Sequence, residues 1–340
     1  NTFSRIVLAS RPDGAPEPQN FRLETGSMPE PGPGQFLART LWLSLDPYMR
    51  GRMNAAKSYA EPTALGATMP GECVAEVIAS QHPGYAAGDL VLAPLGWASH
   101  GLSDGTGVQR IVPGTAPLAA YLGVLGMPGL TAWVGLNDIA AARPGETIII
   151  SAATGAVGSL AGQLARQKGM RVIGVAGGAE KCAHATRDLG YELCLDHRAA
   201  PDAAALAAEI AESVPEGADI YFDNVAGKTL QAVLPNLKTG ARIALCGMVG
   251  WFAGGDAPPP APVIWGAILR QRLKVQGFII FDHYNRRPDF LAEVEPLLRQ
   301  GKIGWRESIA EGLAAAPAAF IAMLQGQNLG KQLVRVGPGP

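Results

Sequence analysis

One segment constrains the fold more than any other: Ile148-Ile149-Ile150-Ser151 running into Ala152-Ala153-Thr154-Gly155-Ala156-Val157-Gly158. The uninterrupted apolar run reads as a buried strand. An Ala/Leu/Gln-rich helix follows the last glycine. The spacing is G-x-G-x-x-G with Ala153 in the first glycine position. Gly155 lets backbone approach a pyrophosphate, and Gly158 lets the helix pack closely on the strand. The helix start adds unpaired N–H groups and partial positive charge. A tight turn in some other α/β protein is the alternative. The position after a strand and before a helix favours a dinucleotide loop. The stretch 147–165 carries no charge and is long enough to cross a bilayer. Its three glycines and the Arg166-Gln167-Lys168 that follows favour strand, turn and helix instead.

The same texture extends from 126 to 298. Strand-like runs at Thr147–Ser151, Arg171–Val175, Leu193–Asp196, Ile220–Phe222, Arg242–Cys246 and Lys274–Ile280 alternate with helical stretches near 156–168, 179–189, 202–213, 228–237 and 262–271. Strands separated by helices of this length pair in parallel through right-handed crossovers. The expectation is a doubly wound α/β dinucleotide domain. Residues 1–125 read differently, as short strands between Pro and Gly turns, a β-rich pattern. A helix near Pro317–Gln325 and a strand at Gln332–Val336 are expected to return to that first domain. Two domains follow, 1–125 with 299–340 and 126–298, as suits 340 residues.

Composition narrows the partners. Lys plus Arg is 28 and Asp plus Glu is 29, so no basic surface for nucleic acid is expected. Charged residues at 17% against 48% hydrophobic exclude extensive disorder. Cys73, Cys182, Cys194 and Cys246 form no CxxC pair and have no histidine at ligand spacing. That excludes a four-cysteine structural zinc site and argues for free thiols in a reducing cytoplasm. No signal peptide is visible and no membrane association is expected.

The cofactor is narrowed at the end of the second strand. An NAD site expects an acid there for the ribose 2′-hydroxyl. Val175-Ala176-Gly177-Gly178 offers none, while Lys181 can meet a 2′-phosphate. The bland reading of Lys181 is a solvated helix lysine. The missing acid and the nearby cation together favour NADPH. In the first domain, Pro70-Gly71-Glu72-Cys73 has no histidine beside it, and His82 and His100 sit in no ligand cluster. The expectation is no metal. Hydride transfer without zinc suits an activated alkene, whose charge delocalises onto an enolate oxygen.

At this point the chain resembles the zinc-independent medium-chain dehydrogenase/reductase branch of prostaglandin, 2-alkenal and curcumin reductases. The resemblance is carried by Leu45-Asp46-Pro47-Tyr48-Met49-Arg50-Gly51-Arg52-Met53, Gly126-Met127-Pro128-Gly129-Leu130-Thr131-Ala132, Ala153–Gly158, Tyr221-Phe222-Asp223-Asn224-Val225, Cys246-Gly247-Met248, Gly277-Phe278-Ile279-Ile280 and Asn328-Leu329-Gly330-Lys331. It runs through nearly the whole chain. It implies a Rossmann domain plus a β-rich GroES-like catalytic domain in a cytoplasmic homodimer. The implied activity is NADPH-dependent reduction of the C=C bond of a small enone or alkenal. Quinone reduction, and NADPH binding without catalysis, are the alternatives.

The resemblance also implies site residues. Gly155, Ala156, Val157 and Gly158 would hold the pyrophosphate and Lys181 the 2′-phosphate. Asn224, Cys246, Gly247 and Met248 would line the adenosine and ribose path. Phe278, Ile279 and Ile280 would flank the nicotinamide, and Asn328 would close the site. Two positions depart from the pattern. His197 stands where the family usually has Tyr, and can contact the adenine-side phosphate with Arg198. Phe252 stands where relatives often have a Tyr, so it cannot donate a proton. Tyr48 is the leading candidate for binding the substrate carbonyl or protonating the enolate; a packed turn tyrosine is its bland reading. Tyr284, after the sixth strand, is a second candidate. Arg50 and Arg52 read as surface ion-pair residues sooner than phosphate guides. Trp251, Phe252 and Trp265 are expected to shape an apolar pocket from a loop spanning 250–262.

Overall fold

The computed structural model describes residues 2–56, 58–114, 116–252 and 261–338. The chain divides into two units, Asn1–Gly123 with Glu307–Pro340, and Val124–Arg306. The second boundary falls eight residues beyond the expected 298. Ile303 is buried, and the Gln163 side chain clamps Gly304, its Nε2 donating to the carbonyl and its Oε1 accepting from the N–H, each at 2.8 Å. These contacts tie 299–306 to the central unit.

A six-stranded sheet fills the central unit. Its strands lie in the order Leu193–Asp196, Arg171–Ala176, Thr147–Ser151, Ala218–Asp223, Leu237–Leu245, Lys274–Gly277, all parallel. Numbered along the chain, that is 3-2-1-4-5-6, the doubly wound order. Every residue of Thr147–Ser151 is buried, which explains its lack of alternation: helices cover both faces. Each Ile there contributes roughly 1.5–3 kcal/mol relative to exposure. The order reverses between Thr147–Ser151 and Ala218–Asp223, and ligands of such sheets collect outside the carboxyl ends at that point.

Two elements end earlier than expected. The helix Gly227–Val233 stops where Pro235 lacks the N–H to continue it, and the next strand starts at Leu237. The sixth strand stops at Gly277 rather than Ile280. Phe278 turns inward there, its ring edge-on to Phe222 at 6.5 Å. Gly135 makes the room, because a Cβ on it would stand 2.4 Å from the Phe222 ring and 3.0 Å from that of Phe278. Of the expected 250–262 loop, residues 253–260 lie outside the described residues, and Val249–Phe252 forms a helical turn.

In the other unit, a sheet runs in the order Glu307–Glu311, Lys331–Arg335, Phe36–Ser44, Cys73–Ser80, Leu90–Ala93, Gln109–Arg110, with His100–Ser103 also paired to Phe36–Ser44. Thr2–Leu8 and Phe21–Ser27 form a separate antiparallel pair. The tail is built into this unit. Phe320, from the helix Ala316–Leu324, meets the buried Trp97 edge-on at 5.5 Å, and Trp97 stacks on Phe21 at 5.5 Å. Among the described residues no helix is long and apolar enough to cross a membrane.

Candidate active site

The glycine loop is held from three directions. Gly155 N–H closes a turn onto the Ala152 carbonyl at 2.9 Å, and Ala153 N–H bonds Val175 of the second strand at 3.1 Å. Ala152 takes φ 49°, a left-handed conformation that costs a non-glycine residue roughly 1 kcal/mol. Gly158 has no alternative, since a Cβ on it would lie 2.3 Å from the Ala152 carbonyl oxygen. Ala153 is fully buried, and Gly174 on the next strand gives it space: a Cβ at Gly174 would stand 2.8 Å from that of Ala153. Gly155, Ala156 and Val157 form a partly exposed rim above the helix Gly158–Gln167. The first N–H groups of any helix lack carbonyls of their own helix, so this rim can bind an anion.

Beyond the second strand lies a cation cluster. His197 N–H bonds the Ala176 carbonyl at 3.0 Å. A Cβ at Gly177 would stand 2.9 Å from both His197 Nε2 and Arg198 Nε. Lys181 is half-buried one turn into the helix Ala179–Arg187; burial, then the nearby Arg198 guanidinium, pushes its ammonium below the usual range. Two acids lie here: Glu180, exposed beside Lys181 in the first helical turn, and Asp196, which is committed to backbone, one carboxylate oxygen accepting from Gly178 N–H at 2.7 Å and Arg198 N–H at 2.9 Å. His197 and Arg198 therefore meet at Gly177, and Arg198 also lies close enough to Lys181 to act on its charge.

Asp223 organises the loops at the reversal point. Its Oδ1 accepts from Tyr221 Oη at 2.9 Å, Val225 N–H at 2.9 Å, Ala226 N–H at 2.8 Å and Ser151 Oγ at 3.3 Å. Its carbonyl accepts from Cys246 and Gly247 N–H at 2.8 and 3.0 Å. Asn224 N–H donates to Ser151 Oγ at 2.9 Å, and its side-chain amide to the Ser151 carbonyl at 2.8 Å. Asn224 and Cys246–Met248 are thus drawn together beside the glycine loop, all partly exposed. Burial raises the Asp223 carboxyl above its usual range, and burial pushes the Cys246 thiol up to about 12.

Phe278 and Ile280 are buried, while Ile279 is partly exposed. The Phe278 ring is committed to Phe222 and to His283, 6.3 Å away. Tyr284 sits in the 3-10 turn Ile280–Arg286, stacked on Phe281 at 6.0 Å and exposed at its edge.

Tyr48 and Asn328 belong to the other unit. Tyr48 opens the short helix Tyr48–Arg52 and is half-exposed, with the Arg52 guanidinium 5.7 Å from its ring and 5.6 Å from that of Tyr59. Arg50 is not a surface ion-pair residue. It is buried, donating to the Gly14 carbonyl at 3.1 Å and to Asn54 Oδ1 at 2.6 Å. A buried ion pair joins the segments of Tyr48 and Asn328: Lys331 Nζ lies 2.6 Å from Asp46 Oδ1 and 2.7 Å from the Leu45 carbonyl. Asn328 is half-buried, its amide donating to the Gly330 carbonyl at 2.9 Å. Sequence reasoning missed this pair, although Asp46 and Lys331 lie inside quoted motifs. It also missed Tyr191, whose hydroxyl donates to the Gly158 carbonyl at 2.7 Å under the glycine loop.

Family models match both units: one for the N-terminal domain of oxidoreductase over residues 4–111, one for zinc-binding dehydrogenase over 156–296. The NADPH-dependent curcumin reductase of Escherichia coli (strain K12) is 47% identical over 336 residues, 98% of this chain and 96% of that protein. This chain is a medium-chain dehydrogenase/reductase. It belongs to the branch of curcumin, prostaglandin and 2-alkenal reductases. Prostaglandin reductase 1 of Rattus norvegicus is 40% identical over 329 residues, 95% of this chain and 96% of its own. The structure of CurA from Vibrio vulnificus in complex with NADPH superposes with a TM-score of 0.93 at 45% identity, covering 99% of this chain and all of that one.

The zinc in the second model's name does not fit the donors present. Among the described residues no group of three or more His, Cys, Asp or Glu side chains is arranged to hold a metal. Cys73, in the position expected of a ligand, hydrogen-bonds the Gly96 carbonyl at 3.3 Å, and burial pushes its thiol up to about 12.

Proposed function

We propose that this NADPH-dependent reductase of C=C bonds acts on small α,β-unsaturated aldehydes and ketones without zinc. The observation that carries the cofactor half is the meeting of His197 and Arg198 at Gly177, with Lys181 close to Arg198 and Asp196 turned to backbone. Such a donor set suits a 2′-phosphate and disfavours a bare ribose hydroxyl. Gly155–Gly158 hold the pyrophosphate at the helix start. Asn224 and Cys246–Met248 line the path beside it, and Phe278–Ile280 bound the nicotinamide end. When bound, NADPH supplies a hydride, which the substrate accepts at its β-carbon.

The resulting enolate oxygen needs a donor. The Tyr48 hydroxyl fills that role, orienting the carbonyl before transfer and donating to the oxygen after it; Tyr284 is the other side-chain candidate. Arg52 stacked on the Tyr48 ring stabilises developing phenolate charge. Steady-state NADPH oxidation with alkenals, cyclic enones, diarylheptanoids and quinones tests the reading. Turnover of the unsaturated carbonyls with product reduced at C=C supports it; turnover of quinones alone, or of none, refutes it.

A homodimer accompanies this reading. The sheet's edge strand Lys274–Gly277 is exposed along its length, and among the described residues it pairs only with Leu237–Leu245. Trp265 and Leu269 of the helix Ala261–Gln271 are also exposed, at 69% and 77%. An open edge beside apolar side chains is a liability that a second copy, pairing edge to edge, removes. A monomer by light scattering at micromolar concentration would exclude it.

A further inference from the structure

Two thiols stand beside the cation cluster and take no part in the chemistry above. Cys182 lies in the first turn of the helix Ala179–Arg187, its N–H bonded to the Gly178 carbonyl at 3.2 Å. Cys194 lies on the third strand, opposite Gly174 of the second. The missing side chain at Gly174 makes the space for it, since a Cβ there would stand 3.0 Å from Cys194 Sγ. The two thiols hydrogen-bond to each other, and Cys182 also to the backbone of Ala176. Both residues are partly exposed.

Their environments differ from those of the other cysteines. The hydrogen bond from Cys194 holds the Cys182 thiol below its usual range, and the same bond, with burial, raises Cys194. Asp196 opposes a thiolate at either position. Lys181 precedes Cys182 directly on the helix Ala179–Arg187. Cys73 and Cys246 are pushed up to about 12 by burial, so they are poor nucleophiles.

We propose that Cys182 and Cys194 form a peroxide-responsive pair whose closure to a disulfide weakens NADPH binding at the adjacent Lys181. The effect on NADPH rests on the cofactor reading above; the crosslink does not. The Cys182 thiolate attacks one oxygen of hydrogen peroxide, the O–O bond breaks, and hydroxide leaves and is protonated to water. Cys182 becomes a sulfenic acid. Cys194 sulfur then attacks the Cys182 sulfur, its proton going to the departing hydroxyl, which leaves as a second water. Two thiols and one peroxide thus give one disulfide and two waters, with two electrons passing to the peroxide. A disulfide holds its sulfurs about 2 Å apart, closer than hydrogen-bonded thiols. Closure therefore draws the first helical turn, with Lys181, toward the third strand.

The full-length reduced enzyme is titrated with hydrogen peroxide, then analysed by thiol counting, peptide mass mapping and nucleotide binding. Expected is a Cys182–Cys194 linked peptide with loss of two of the four thiols, reversed by dithiothreitol. The NADPH Kd should rise about tenfold, the value of one charge-assisted contact, while NADH binding stays within about twofold. Cys182→Ser and Cys194→Ser should bind NADPH like the wild type and form no linked peptide; peroxide should spare Cys194 in the first and stop at the Cys182 sulfenic acid in the second. No linked peptide, or a linked protein with unchanged NADPH binding, overturns the proposal. A linked peptide with equal loss of NADPH and NADH upholds the crosslink and instead removes Lys181 as the 2′-phosphate anchor.

Discussion

Replacing Lys181 by alanine tests the residue proposed to select NADPH over NADH. Its ammonium is half-buried and already pushed down by burial and by Arg198, so a phosphate bound there relieves a repulsion present in the free enzyme. One charge-assisted phosphate contact is worth roughly 1.5–3 kcal/mol, or about 10–150-fold in Kd. Arg198 is exposed and remains in the variant, so the loss should fall toward the lower end, about 10–30-fold for NADPH. NADH, which has no phosphate to lose, should change by less than about twofold. Fluorescence titration with both nucleotides, at low and at moderate salt, measures this. The NADPH preference of the wild type should shrink as salt rises, because exposed charges are screened. Equal losses for both nucleotides would refute the reasoning, as would an Arg198→Ala variant that carries the whole preference while Lys181→Ala carries none.

Three further outcomes are expected. Tyr48→Phe should lower kcat about tenfold, or about 1.4 kcal/mol, with NADPH affinity unchanged, because an enolate also takes its proton from water; wild-type kcat and KM on several enones would remove Tyr48 from the site. Exhaustive chelation should leave activity intact, and elemental analysis should find no stoichiometric zinc; loss with chelator and recovery with zinc would contradict this. Asp223→Ala strands several buried donors and should destabilise the protein by about 3–5 kcal/mol, whereas Asp223→Asn keeps the Oδ1 acceptor and should cost far less. The Asp223 carboxyl is raised in the folded state, so its contribution to stability falls as pH rises from the unfolded value through the folded one. The stability difference between wild type and Asp223→Asn should change in the Asn variant's favour over that window. Parallel denaturation curves across it would show the carboxyl to be unshifted.

The parallel sheet was legible because its signal is local. Three consecutive isoleucines, a glycine turn and a helix each announce themselves within a few residues, and repetition of that unit specifies the doubly wound order. What escaped depends on contacts between distant segments. The parallel strand Glu307–Glu311 has no apolar run, since its partner Lys331–Arg335 supplies the buried face. The helix Arg287–Arg299 did carry a readable signal: Phe290, Val294 and Leu298 recur every fourth residue and are its buried positions. The sixth strand's early end was not readable, because it follows from a ring packing into space left by Gly135, far away in the chain.

The candidate site divides the same way. Ala153 in place of the first loop glycine reads as a departure until Gly174 is placed beside it: a methyl added in the loop is matched by a side chain removed on the neighbouring strand. Gly162 repeats the logic, since a Cβ there would stand 2.2 Å from the ring of Tyr191, whose hydroxyl holds the Gly158 carbonyl. Such paired exchanges leave no mark in a motif, which records one segment at a time. Asp196 makes the converse point. It ends the third strand, beside the end of the second where an NAD site carries its acid, yet its carboxylate is spent on Gly178 and Arg198 N–H. An acid in the right region is therefore no evidence for NAD until its hydrogen bonds are traced. Here they fix Gly178, which precedes the helix bearing Lys181, and Arg198 itself, so the carboxylate that reads as a competitor for a ribose instead positions both cations.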